Sequence, residues 1–272
     1  MQYKMVFHAK KLKMFIRPSY ENLNWLKKYL FSSLITLHLG FIQSPANAFV
    51  PYIFEPKQTD LEKTSFDIGK TAAQLLYFDQ VKEASRLAKL AVKLNPNDER
   101  LWLLLADSQI KSNRFDEAIF SLAKAKKLNP KNAKLWFIEG SLQLQQNNIN
   151  KAVFSIKKSI YLEPKNANAY FQLGNARMIQ KKPYTALRAF KKAVKIKSKY
   201  WQALNNQGLI FFELDKIKLA IKTWREVLTI KENPEPMLAL AIALHQTEGS
   251  NQESLELARQ ALKENPNYVL SK

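Results

Sequence analysis

Apolar positions along this chain recur at helical spacing, in paired short segments closed by a repeated stop. Between residues 99 and 132, Trp102, Leu105, Ala106 and Gln109 fall three and four apart and mark one stripe of a helix. Asn113-Arg114-Phe115 interrupts the stripe, and Ala118, Leu122 and Ala125 resume it up to Asn129-Pro130. The residue before a proline is pushed out of the α region, so the second helix ends there. Leu94-Asn95-Pro96, Leu128-Asn129-Pro130 and Leu162-Glu163-Pro164 repeat that stop every 34 residues, and Pro266 falls on the same beat. From Ser65, six units fit without insertion: 65–98, 99–132, 133–166, 167–200, 201–234 and 235–268. Each predicts two helices. Pro183 sits in the first turn of one of them, where its missing N–H costs nothing. Residues 49–64 hold Pro51 and Pro56 and lack the period, which predicts an extended lead-in; 269–272 form a tail. A period of this size predicts an all-α stacked array, in which no unit buries its apolar face alone.

The residues at fixed places in the units carry a resemblance. Trp136-x-x-Glu139-Gly140, Tyr170-x-x-Leu173-Gly174 and Leu204-x-x-Gln207-Gly208 resemble the first-helix motif of tetratricopeptide repeats. Ala186-x-x-x-Phe190 and Ala220-x-x-x-Trp224 resemble the second-helix motif. Gly140, Gly174, Gly208, Ala118, Ala152, Ala186 and Ala220 are small enough for antiparallel helices to approach closely. Ser198 and Glu232 stand where the closing proline would fall, with Pro234 two residues late, and Leu75 and Ser254 mark the degenerate terminal units. The resemblance spans residues 65–268 of 272. It implies a right-handed α-solenoid that binds a protein or peptide partner along its concave face. That face would hold Phe171, Asn175, Met178, Asn205, Leu209 and Phe212: Asn can pair with a peptide backbone, and Phe and Met supply apolar contact. The family's clamp for acidic C-terminal tails needs Lys or Arg where this chain has Phe171 and Asn205, so tail binding is not implied. The chain is also similar, through its repeat, its N-terminus and its Lys/Asn/Ile-rich composition, to factors that assemble photosystems in cyanobacteria and chloroplasts.

Charge alters the picture in one region. The chain carries a formal +20, of which residues 133–200 supply +12 from 14 Lys/Arg against Glu139 and Glu163. Arg188, Lys191, Lys192 and Lys195 share one helix face, and Lys157 and Lys158 repeat the theme one unit earlier. Second helices form the outer wall of such a solenoid, so this is expected to be a basic outer face. It reads either as a solvated surface or as one drawn to an anionic membrane or an acidic protein. Nucleic acid is the weaker partner, because the N-terminal signal described below sends the chain away from it and no aromatic residue is expected to interleave these lysines.

The N-terminus and the scarce chemistry bound the rest. Lys27-Lys28, the apolar run 30–42 and the small-x-small ending Ala46-Asn47-Ala48 predict a secretory signal cut after Ala48, or else a membrane anchor over 1–48. Translation from Met14 would shorten the leading part. The expected place is therefore the periplasm, the thylakoid lumen or a membrane. There is no cysteine, the histidines are His8, His38 and His245, and six single glycines build no phosphate loop. No enzyme, cofactor, metal or small-molecule substrate is expected. The chain predicts a scaffold: one that assists assembly of a membrane complex, or one for envelope biogenesis or secretion, or a cytosolic adaptor if there is no signal.

Overall fold

The computed structural model describes residues 57–248 and 251–265. The expectations for 1–48, for 49–56, for Pro266 and for the tail lie outside them. Twelve α-helices and no strand occupy the described residues. They run in pairs: α1 (Gln58–Tyr77) with α2 (Val81–Leu94), α3 (Glu99–Lys111) with α4 (Phe115–Leu128), and α5 (Ala133–Gln145) with α6 (Ile149–Leu162). Then come α7 (Ala167–Ile179) with α8 (Pro183–Ile196), α9 (Trp201–Glu213) with α10 (Ile217–Ile230), and α11 (Pro234–Glu248) with α12 (Gln252–Glu264). Each helix packs on the next in sequence, and the pairs stack into an α-solenoid.

The turn inside each pair has one design. Asp79, Asn113, Asn147, Lys181 and Asp215, each 34 residues apart, take φ between 55° and 60°. The N–H of each reaches back three residues and the next N–H reaches back five, as from Asn113 to Ile110 O (2.9 Å) and from Arg114 to Gln109 O (2.8 Å). This closes the last carbonyls of the first helix. Asn and Asp tolerate the left-handed region through their short polar side chains; Lys181 does not, at a cost of about 1–2 kcal/mol. Between pairs, Asp98, Asn132 and Asn166 cap the next first helix, accepting from Arg100, Lys134 and Ala169 N–H groups. Each such cap is worth about 1 kcal/mol. Trp102 and Trp136 donate their indole N–H to Pro96 O and Pro130 O at 2.8 and 2.9 Å. The repeated tryptophan therefore pins the proline turn that precedes it.

Close helix approach comes from the small residues. A Cβ on Gly140 would lie 2.6 Å from Ile156, on Gly174 2.4 Å from Phe190, and on Gly208 2.6 Å from Trp224. Those three partners are completely or almost completely buried. First helices of adjacent pairs also touch one another (α1 with α3, α5 with α7, α9 with α11), which second helices do not do to a comparable extent. The stack therefore curls with first helices on its inner face.

Two expectations about boundaries are corrected. The lead-in does not run to residue 64, because α1 starts at Gln58. Residues 58–64 hold one apolar residue, Leu61; helix propensity, Asp60 in the first turn and the Gln58–Glu62 hydrogen bond (3.1 Å) carry the extra turns. The sixth unit is also not in strict register. α9 buries Ala203, Leu204, Gln207 and Gly208, whereas α11 buries Pro236, Met237, Leu240 and Ala241, one residue earlier than the period demands. The cause is Pro234, which starts α11 after a linker shortened to 231–233, with Asn233 accepting from Glu235 N–H at 3.1 Å. α11 has 15 residues where α9 has 13, so Ala261 of α12 returns to the beat.

Candidate functional site

The inner face carries an open hollow of about 300 Å³ between α7 and α9. Asn175, Met178, Ile179, Asn206 and Leu209 line it. Ile179 is 53% and Leu209 36% exposed, so apolar surface faces solvent here. The amides form a short ladder: Asn206 Nδ2 donates to Asn175 Oδ1 (3.0 Å), and Asn175 Nδ2 donates to Gln172 Oε1 (3.4 Å). Asn206 Oδ1 accepts no hydrogen bond among the described residues.

Of the expected groove residues, Asn175, Met178 and Leu209 meet in this hollow, while three others serve the packing. Phe171 lies between Phe190 and Tyr200, at centroid distances of 5.7 and 5.0 Å. Phe212 packs on Trp224 at 5.9 Å. Asn205 is the clear correction, because it is 3% exposed and both ends of its amide are engaged. Its Oδ1 accepts from Trp224 Nε1 at 2.9 Å and its Nδ2 donates to Glu235 Oε1 at 3.0 Å. The places equivalent to Trp224 in earlier units hold Leu122, Ile156 and Phe190, which have no polar side-chain atom. A buried indole N–H needs an acceptor, and Trp224 draws Asn205 inward to supply it. Sequence reasoning missed Ile179 and Asn206. The signal for Asn206 was available, since a buried Trp at an otherwise apolar place commits one of two neighbouring asparagines and leaves the other outside.

The row that contains Asn175 continues toward the N-terminus through Ser141 and Asp107, at 34-residue steps. Ser141 Oγ is buried without a hydrogen-bond partner. Asp107 makes no hydrogen bond among the described residues; burial pushes its carboxyl above the ordinary range, and Lys134 and Lys111 pull it partly back. Below the row, Glu139 is buried and paired with Lys126; it accepts from Ser155 Oγ at 2.9 Å. The Lys126 ammonium also lies 4.3 Å from the Trp136 ring centroid. A second hollow of about 400 Å³, lined by Lys82, Ser85, Arg86, Lys111 and Arg114, lies between the first two pairs.

The basic set lies on two second helices, α6 and α8. Lys157, Arg188, Lys191, Lys192 and Lys195 are exposed and Lys158 half-buried. The expectation that no aromatic residue interleaves them is corrected: Phe154, Tyr161 and Tyr184 are 65%, 76% and 63% exposed on the same helices. Among the described residues, no group of three or more His, Cys, Asp or Glu could hold a metal ion. None of the described helices is long and apolar enough to cross a membrane.

Fold and inner face define an α-solenoid of helix-pair repeats with an open hollow between two first helices. Tetratricopeptide-repeat models match residues 75–142, 133–166 and 167–200. The chain is a tetratricopeptide-repeat protein. Proteins of this family bind protein or peptide partners and are generally non-catalytic. Solved structures agree in fold. The chain is similar to pilF of Pseudomonas aeruginosa (TM-score 0.67, 14% identity, 78% of this chain and 95% of that one). It is similar to PilW, described as a widely conserved type IV pilus biogenesis factor (TM-score 0.65, 16% identity, 75% and 94%). It is likewise similar to YrrB, described as having an unusual peptide-binding site (TM-score 0.56, 17% identity, 67% and 94%). No curated protein matches the chain. Nothing in these relatives supports the likeness to photosystem-assembly factors.

Proposed function

We propose that the chain is a non-catalytic scaffold that holds an extended segment of a partner protein along its inner face, anchored in the notch between α7 and α9. The observation that carries this reading is the meeting of Met178, Ile179 and Leu209 with the amides of Asn175 and Asn206 in one open hollow. An apolar side chain of the partner fills the notch, and its backbone pairs with the amide ladder. Asp107 and Ser141 extend the row with hydrogen-bonding capacity that the chain itself leaves unmet, which a peptide N–H would satisfy. YrrB, with the same fold, is described as a peptide binder, which agrees with this use of the groove.

Selection of peptides from a phage-displayed library against the full chain tests the reading. Selected peptides should share an apolar anchor, and Leu209→Glu should weaken them at least about tenfold with helicity unchanged. Peptides insensitive to Leu209→Glu would overturn it.

We further propose that the chain works outside the cytosol or at a membrane, on the strength of Lys27-Lys28, the apolar run 30–42 and Ala46-Asn47-Ala48. Mass spectrometry of the mature chain should find a start at Phe49 or an intact chain in the membrane fraction. An intact Met1 or Met14 start in the soluble fraction would contradict it.

A further inference from the structure

We infer that the outer wall built by α6 and α8 docks flat on an anionic lipid bilayer, with Phe154, Tyr161 and Tyr184 entering the headgroup layer among the lysines. This rests on the reading that the chain works at a membrane. Phe154, Lys157, Lys158 and Tyr161 stand at i, i+3, i+4 and i+7 of α6, so rings and cations form a single stripe. Tyr184, Arg188, Lys191, Lys192 and Lys195 form the matching stripe of α8. Lys157 and Lys191, and likewise Lys158 and Lys192, are one period apart and occupy equivalent outer places in adjacent units. The two stripes therefore sit at equivalent places on successive second helices and belong to the same wall.

Between Glu139 and Glu213 the sequence has one carboxylate, Glu163, and it accepts from Asn166 Nδ2 at 3.2 Å. The wall is thus positive without internal neutralisation. The Phe154 ring meets the Trp136 ring edge-on at a centroid distance of 6.1 Å, yet it and the two tyrosines keep most of their surface exposed, and a headgroup layer would cover it. Lysine stems and tyrosine rings both present an apolar body and a polar tip, which suits that depth. The observations favour a bilayer over nucleic acid. Lys outnumbers Arg five to one among Lys157, Lys158, Arg188, Lys191, Lys192 and Lys195, so forked phosphate or base recognition is scarce. The Lys158 ammonium also already lies 5.3 Å from the Tyr161 ring centroid, on the surface a base would stack against. Neither hollow described above lies on this wall, as a bound acidic peptide would favour, and a planar surface needs none.

The chain has no cysteine, so a single cysteine at a chosen point takes one environment-sensitive label. Tyr184→Cys on the full chain carries a nitrobenzoxadiazole probe, and Leu209→Cys on the inner face is the control. With phosphatidylcholine vesicles containing phosphatidylglycerol, the probe at 184 should shift to the blue and brighten while the probe at 209 stays silent. With pure phosphatidylcholine both should stay silent. In the labelled background, Phe154→Ser with Tyr161→Ser, and separately Lys157, Lys158, Lys191 and Lys192 all →Gln, should each lower the apparent partition at least about tenfold at low salt. All six residues are at the surface, and unchanged circular dichroism verifies that the variants fold. Residues 1–56 stay attached, and a chain that floats with vesicles while the 184 probe is silent keeps the membrane reading and overturns this one. Equal responses at 184 and 209, a response indifferent to loss of the rings, or a response to single-stranded RNA or polyglutamate but not to vesicles would also overturn it.

Discussion

Gly174→Ala is the sharpest test of the packing. In an exposed helix interior this change stabilises by about 1 kcal/mol, because alanine loses less backbone entropy. Here the new Cβ would lie 2.4, 2.6 and 2.7 Å from Cε1, Cδ1 and Cζ of Phe190, where ordinary contact begins near 3.4 Å. Phe190 is completely buried and its ring is flanked by Phe171 at 5.7 Å, so it has no free direction to move. Overpacking costs about 1–3 kcal/mol, and a ring with no room to shift puts this site in the upper part of that range, about 2–3 kcal/mol. Subtracting the propensity gain leaves a net loss of about 1–2 kcal/mol. The companion variant Phe190→Leu removes Cε1 and Cζ and leaves a smaller, non-planar side chain that can turn its methyls away. In that background Gly174→Ala should stabilise by up to about 1 kcal/mol, which makes the coupling between the sites about 2–3 kcal/mol. Guanidinium titration of the full chain, followed by helical circular dichroism, reads all four corners of the cycle. Stacked repeats need not unfold in one step, so the slope should be checked for constancy across the variants. A single Gly174→Ala variant with a raised midpoint would refute the reasoning.

Two further outcomes follow from buried charge. Lys126→Met leaves Glu139 charged, buried and held by Ser155 alone, and should cost about 3–5 kcal/mol in the same titration, while Lys126→Met with Glu139→Leu should recover most of it; a single-variant cost below about 1 kcal/mol would contradict the burial. Burial holds the Asp107 carboxyl above its ordinary value of 3.8, so the folded chain binds this proton more tightly than the unfolded one. Stability from this group therefore falls as pH rises from the ordinary value through the raised one. Asp107→Asn should melt above the parent chain at neutral pH, with the difference shrinking as pH falls into the ordinary carboxylate range, and a difference that grows on acidification would reverse the sign.

The period, the helix pairs and the glycine contacts were legible because they depend on size and spacing alone. Gly174 against Phe190 and Gly208 against Trp224 are readable from residue volumes at fixed intervals. The groove was legible only in part, because position on a helix gives direction but not competition. Asn205 and Asn206 are neighbours, and the buried indole N–H of Trp224, which needs an acceptor, decides which of them turns inward. The outer rings escaped notice for another reason. Phe154, Tyr161 and Tyr184 stand at helical spacing from the cations of their own helices, but the period alone does not tell an aromatic ring that fills a seam from one left exposed, and here all three are exposed. The slip in the sixth unit reflects Pro234, whose fixed φ starts a helix one residue early in a linker where Glu232 stands at the place of the closing proline.

The central claim is that the notch between α7 and α9 receives the partner. Methyl NMR of the full chain, titrated with a library-selected peptide, tests it most directly. The account expects the methyl signals of Met178, Ile179 and Leu209 to move first and farthest, with saturation, and those of the second helices to stay in place. Shifts confined to α6 and α8, or spread evenly over the chain with none at the notch, would contradict it.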